Sequence, residues 1–194
     1  MLSKDQIKKL SFLNEKIQKC QKCQNLFKNG MAVPYWTKSS KFIMIAEAPG
    51  KNEVKEEFRT PLIGMAGRLI FTELKKKNIK RKDFLILNTI QCRPVINGYN
   101  GKPSPEETEN CKFWVSKYFQ VFKPKLVFLL GGYALNYFFE DNLGITKENG
   151  TILTLDGVKF IPCLHPAYVL RNKKEILSFR KAIRVLKEEI SGEH

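Results

Sequence analysis

Apolar positions along the chain fall into two kinds of run. Across residues 3–19, Ile7, Leu10, Leu13 and Ile17 recur near helical spacing behind Ser3, an N-cap residue, which predicts an amphipathic helix. The stretches 41–46 (KFIMIA), 83–90 (DFLILNTI) and 125–132 (KLVFLLGG) are short and apolar throughout, the pattern of buried strands. Between them the period becomes helical at 64–78, and Ser104 with Glu107 forms a capping box that opens a helix running to about Phe122. A short helix to about Glu140 follows the third strand. Residues 151–166 predict a strand, a turn at Asp156 and Gly157, and a second strand, and 174–190 predicts a C-terminal helix.

Strands and helices alternate, and the strands lack a polar face. The fold class is therefore α/β, a three-layer α/β/α sandwich with a mostly parallel central sheet. With no internal repeat or low-complexity tract, residues 1–194 are expected to form a single domain, the first 40 or so serving as an N-terminal helix and loop segment. Ligands of such sheets bind outside the carboxyl ends of the strands. Three polar residues fall there: Glu47, Asn88 and His165.

Charge narrows the partner. The chain carries 34 Lys and Arg against 19 Asp and Glu, a formal +15, which favours a polyanion: nucleic acid first, an anionic membrane surface second. A lysine-rich solvated surface would give the same balance without any partner. The N-terminus lacks the apolar core of a signal peptide, and no segment approaches the roughly 20 apolar residues of a membrane span. A cytoplasmic protein without a membrane partner is expected, with reduced thiols, so the five cysteines need a reason other than disulfides.

Cys20 and Cys23 sit two residues apart in CQKC, close enough to clamp one metal centre. Cys92 and Cys111 lie downstream, separated by a loop rich in Pro, Gly and Asn. A zinc ribbon would show a second close pair, whereas thiolates from separate segments also suit an iron–sulfur cluster. Spacing leaves zinc, iron–sulfur and a redox dithiol open. Cys163, in an apolar strand, reads as core.

Four blocks carry a resemblance. AEAPGKNE (46–53), RTPLIGMAG (59–67), LNTIQCRPV (87–95) and HPAYVLRN (165–172) resemble, in order, the motifs of the family 4 uracil-DNA glycosylases, the iron–sulfur branch of the uracil-DNA glycosylase superfamily. The resemblance runs from Cys20 to Asn172. It implies a uracil-DNA glycosylase-like fold and a monofunctional DNA-repair hydrolase that flips out uracil and leaves an abasic site. It also implies a structural [4Fe-4S] cluster on Cys20, Cys23, Cys92 and Cys111, the first two within the N-terminal segment. The expected partner is uracil-containing DNA, single- or double-stranded, bound by a monomer that in a prokaryote would work at the nucleoid.

Roles follow position by position. His165 is the family-matched donor to uracil O2, expected as neutral imidazole because a charged ring is costly in a desolvated pocket; the other histidine, His194, is terminal. Asn88 matches the base-reading amide, which can accept from uracil N3–H while donating to O4. Glu47 and Ala48 are placed against the base, with Gly50 admitting close approach. Glu53 matches a carboxylate near uracil C5, to exclude the thymine methyl or hold the water; alone, it would read as an exposed loop glutamate. Tyr168, Val169 and Leu170 would wedge the minor groove from the loop after the histidine, and Arg171 would contact phosphate. Lys75, Lys76, Lys77, Lys80, Arg81 and Lys82 form the densest basic cluster, a phosphate track or a solvated helix end.

The pattern departs at Leu62, where the family stacks a phenylalanine on the base. That costs on the order of 1 kcal/mol of ring contact, which the nearby Phe58 could replace. Ala46 replaces a family glycine. Two other readings fit the same departures: a non-catalytic Fe–S DNA-binding module, and a glycosylase for another deaminated base such as hypoxanthine.

Overall fold

The computed structural model describes residues 1–139 and 143–192, without the side chains of Gln24 and Asn25. The expected helix end at Glu140, and His194, lie outside the described residues.

Ser3 caps α1 (Lys4–Ile17): its hydroxyl accepts from the Gln6 N–H at 3.2 Å, and the Gln6 side chain accepts from the Ser3 N–H at 3.0 Å. A single turn, α2 (Gln24–Phe27), precedes β1 (Phe42–Ala46), α3 (Met65–Lys75) and β2 (Phe84–Asn88). Next come two short strands, β3 (Val95–Ile96) and β4 (Tyr99–Asn100), then α4 (Pro105–Phe122), opened by the expected Ser104 capping box. The chain continues through β5 (Leu126–Leu130), α5 (Gly132–Phe138), α6 (Ile145–Glu148), β6 (Leu153–Leu155) and β7 (Val158–Cys163). It closes with α7 (Pro166–Arg171) and α8 (Ile176–Ser191).

The main sheet has the order β2-β1-β5-β7-β6. All neighbours are parallel except β6, which returns against β7 through Asp156 (φ 50) and Gly157 (φ 74). Two left-handed residues in succession form the turn that matches strand twist. Alternate side chains of each strand feed separate cores. Ile43 and Ile45 join Leu85 and Leu87 beneath α1 and α4, whereas Met44 and Ala46 join Ile86 and Phe128 beneath α3 and α8. Burial on both faces is why these strands read as unbroken apolar runs. The outer edge of β2 meets Tyr35, whose N–H donates to Ile86 O at 2.9 Å and whose carbonyl accepts from Ile86 N–H at 2.8 Å.

Two segments differ from expectation. The 93–105 stretch, read as loop, holds the β3–β4 hairpin around Asn97 (φ 51) and Gly98 (φ 80). With two residues per strand, alternation is too brief to register; only the Asn-Gly pair signals the turn. The stretch after His165 is helical: Pro166 occupies the first position of α7, where its missing N–H costs nothing.

Candidate active site

β1 is the strand at which the chain switches sheet direction, with β2 added on one side and β5 on the other. A crevice opens at such points. A cleft of about 330 Å³ lies there, walled by Glu47, Ala48 and Pro49 beyond β1, by Pro94 and Lys102, and by His165 beyond β7.

Asn88 ends β2, in register with Ala46 of β1. Its side chain is 1% exposed, and neither Oδ1 nor Nδ2 has a hydrogen-bond partner. Each unpaired buried polar group costs about 1–3 kcal/mol. The backbone, by contrast, is clamped: buried Gln91 donates to the Asn88 carbonyl and accepts from its N–H at 3.4 Å. A fixed backbone thus carries an amide with both its acceptor and its donor unsatisfied.

His165 caps α7, its Nδ1 accepting from the Ala167 N–H at 3.2 Å. That bond places the proton of a neutral ring on Nε2. Burial, then Arg171, pulls the imidazolium down to about 4, so the ring is a neutral donor at physiological pH. Gly131 (φ +93), just past β5, makes room for it: a Cβ there would stand 3.0 Å from the His165 Cβ. Asn149 holds the approach, accepting from Leu164 N–H at 2.9 Å and donating to Ser178 O at 2.7 Å.

The two carboxylates differ. Glu47 is half-buried, and desolvation raises its pKa against the pull of Lys102. Glu53 is no exposed loop residue: it is buried, desolvation raises it, and backbone N–H groups of Gly50, Leu62 and Gly64 bond to it. It therefore ties the Ala48-Pro49-Gly50 turn to the 62–64 segment, with the Gly50 bond at 3.3 Å. Leu62 is 4% exposed and belongs to the buried cluster of Met44 and Ala46, away from the cleft walls. Its left-handed backbone (φ 56) is strained for a leucine.

Arg81 fixes that strain, and the sequence concealed it among lysines. Its guanidinium donates to Leu62 O (3.0 Å) and Pro61 O (2.6 Å) and stacks between Tyr35 and Phe71. Gly67 completes the lock, since a Cβ there would stand 1.8 Å from Leu62 O. Of the basic cluster, Arg81 is thus neither phosphate track nor solvated end, and Lys76 pairs with Glu73 at 2.6 Å.

Tyr168, Leu170 and Arg171 stand exposed on α7, while Val169 is buried. Phe58 is also exposed.

Cys20, Cys23 and Cys92 pack against the core cluster that contains Cys111. Burial pushes Cys92 up to about 12 and Cys111 up to about 11, and the neighbouring thiols add to both. Trp114 Nε1 donates to Cys20 Sγ at 3.3 Å and Asn110 Nδ2 to Cys23 Sγ at 3.6 Å. Among the described residues, no three His, Cys, Asp or Glu side chains are drawn into a group that could hold a metal ion. No helix among them is long and apolar enough to cross a membrane.

The model of the Uracil DNA glycosylase superfamily matches residues 33–187. A type-4 uracil-DNA glycosylase of Thermotoga maritima is 31% identical over 171 residues, 87% of this chain and 86% of its own. Those of Pyrobaculum aerophilum and Archaeoglobus fulgidus are 32% and 29% identical, covering 84% and 79% of this chain and 85% and 79% of theirs.

Proposed function

The chain belongs to the uracil-DNA glycosylase superfamily, in its type 4 branch, and on that premise we propose that it excises uracil from DNA by hydrolysing the N-glycosidic bond. The observation that carries this reading is the buried, unpartnered amide of Asn88. It is not itself a wall of the cleft but is in register with Ala46, the residue before the cleft walls Glu47 and Ala48, and the same cleft presents a neutral His165. An amide offering one acceptor and one donor complements the N3–H and O4 edge of uracil. As the C1′–N1 bond breaks, its electron pair leaves with the base, and His165 Nε2–H stabilises the charge arriving at O2. Water adds to C1′, leaving a hydroxyl on the abasic sugar, and its other proton neutralises the uracil. Glu47 and the Ala48 backbone lie against the base. Glu53 acts by holding the Gly50 turn and the 62–64 segment in place, and Leu62 shapes the site from beneath. Tyr168 and Leu170 of α7 wedge the duplex and Arg171 grips phosphate.

Cys20, Cys23, Cys92 and Cys111 would hold a [4Fe-4S] cluster. Two N–H groups aimed at sulfur, and thiols that disfavour one another's ionisation until a cation joins them, fit that group. When bound, the cluster supplies structural cross-linking of the N-terminal segment, the Cys92 turn and α4. The protein works as a single-domain monomer in the cytoplasm, on uracil in single- or double-stranded DNA.

Single-turnover base release from oligonucleotides carrying one U, T, C or hypoxanthine tests the proposal. Protein is purified anaerobically, with Asn88→Ala and His165→Ala beside wild type. Release confined to uracil, and at least about 100-fold slower in His165→Ala, is expected. No release from folded, DNA-binding protein would leave a non-catalytic binding module; release of hypoxanthine alone would reassign the substrate.

A further inference from the structure

The β3–β4 hairpin takes no part in the reaction above, yet it forms one lip of the cleft. Asn100, Gly101 and Lys102 face Ala167 and Arg171 of α7 across the opening. A Cβ on Gly50 would lie 3.7 Å from Asn100 Nδ2, so the hairpin stands directly beside the Ala48-Pro49-Gly50 turn.

It is a braced element. The Asn97-Gly98 turn closes the tip, and at the base Gly101 N–H donates to Pro94 O at 2.9 Å while Arg93 Nε donates to Asn100 Oδ1 at 2.6 Å. Gly101 packs so tightly that a Cβ would stand 2.6 Å from Ile96 Cγ1.

Cross-strand pairing sorts its side chains. Val95 and Asn100 pair and share one face, the face of the cleft residue Asn100; Ile96 and Tyr99 pair and share the other. Ile96 is 58% exposed and Tyr99 79%. A rigid hairpin thus presents an aromatic ring and an aliphatic neighbour to solvent, one strand thickness from the site. Cations outnumber carboxylates beside it: residues 93–105 include Arg93 and Lys102 and no carboxylate, and the cleft adds Arg171 against Glu47.

Resting on the uracil-DNA glycosylase reading, we propose that Tyr99, backed by Ile96, is a stacking site for the nucleobase adjoining the flipped uridine. The hairpin would partition the strand, with the uridine on the Asn100 side and its neighbour against the ring. An aromatic face accepts any base, because every base has a π-face, and basic flanks carry the connecting phosphates. The site is independent of α7, whose wedge residues come from the opposite wall. It also gives grip on unpaired DNA, where no second strand holds the neighbour in place.

The test uses full-length protein and a single-stranded oligonucleotide in which 2-aminopurine adjoins a tetrahydrofuran abasic-site analogue, placed 5′ in one probe and 3′ in another. With one of the two probes, wild type is expected to quench 2-aminopurine fluorescence on binding. Tyr99→Ala should bind about tenfold more weakly and lose the quench, whereas Tyr99→Phe retains both. Equal binding and quenching by wild type and Tyr99→Ala would overturn the proposal. So would equal losses in the Ala and Phe variants, or a concentration-dependent dimer abolished by Tyr99→Ala with DNA affinity unchanged, which would make the face a self-association surface. Uracil release by wild type, assayed separately, judges the glycosylase reading. Its failure would not alter how the stacking result is read.

Discussion

Two polar neighbourhoods of this molecule are built on opposite terms. At the strand ends Asn88 is buried with its amide unpartnered, and among the described residues the His165 ring hydrogen-bonds through Nδ1 alone. Between α3 and α8, buried Glu73 has its oxygens taken by Arg180 (2.8 and 3.1 Å) and Lys76 (2.6 Å). That flank holds a concavity of about 560 Å³, against 330 Å³ at the cleft. The larger concavity is thus the one whose buried carboxylate is already paired. The Glu73 carboxylate holds α3 to α8, whereas the Asn88 amide is held by no described group of the protein.

His165→Ala should break the contrast most severely. Base release falls about 10²–10³-fold, and loss of the α7 cap costs about 0.5–2 kcal/mol of stability, measured by single-turnover release and denaturant titration. Asn88→Leu should show the two properties moving apart: release drops about 100-fold, while the midpoint stays level or rises because an orphaned amide has gone. A midpoint falling by several degrees would mean that Asn88 has structural partners after all.

Arg81→Ala releases the carbonyls of Pro61 and Leu62. We expect about a tenfold loss of release together with about 1–3 kcal/mol of stability in denaturant titration. On the flank, Glu73→Gln should cost about 1–2 kcal/mol, reduced by the solvent screening of half-exposed Arg180 and Lys76, and leave release within about twofold. The Arg180 hydrogen bonds, followed by Lys76, lower the Glu73 pKa. Its stabilisation is therefore full above the ordinary carboxylate range and lost as pH falls through the lowered value, so wild type and variant should converge in acid.

The pH profile of release gives the smallest and sharpest effect. His165 keeps its neutral form until about pH 4, so it adds no loss between pH 7 and 5. Half-buried Glu47 and buried Glu53 are both raised by desolvation, so a decline towards acid is expected to begin with them.

The sheet was legible because two-sided burial leaves unbroken apolar runs, and the capped helices because Ser3 and Ser104 carry local signatures. Glu47, Asn88 and His165 were legible as polar residues at strand ends, a position with topological meaning. Arg81 was not. It looks like one cation in a basic run, and its partners come from residues 35, 61, 62 and 71, which only the fold unites. Gln91 was hidden for a related reason: its side chain serves a backbone, and backbones have no sequence signal. Leu62 was legible as a departure from the family pattern, but its burial in the core depends on a left-handed residue that no local preference predicts.

The strand that carries Asn88 lies at the rim of the sheet, and all five of its residues are buried. A rim strand of this composition, Phe-Leu-Ile-Leu-Asn, is a template for intermolecular β-pairing if its outer edge is bare. The two hydrogen bonds from Tyr35 close that edge at its midpoint, Ile86. The segment leading from the cysteine pair to β1 is thus also a guard against fibrillar aggregation. Damage that loosens it would reveal itself as insolubility even where the chemistry of the site is intact.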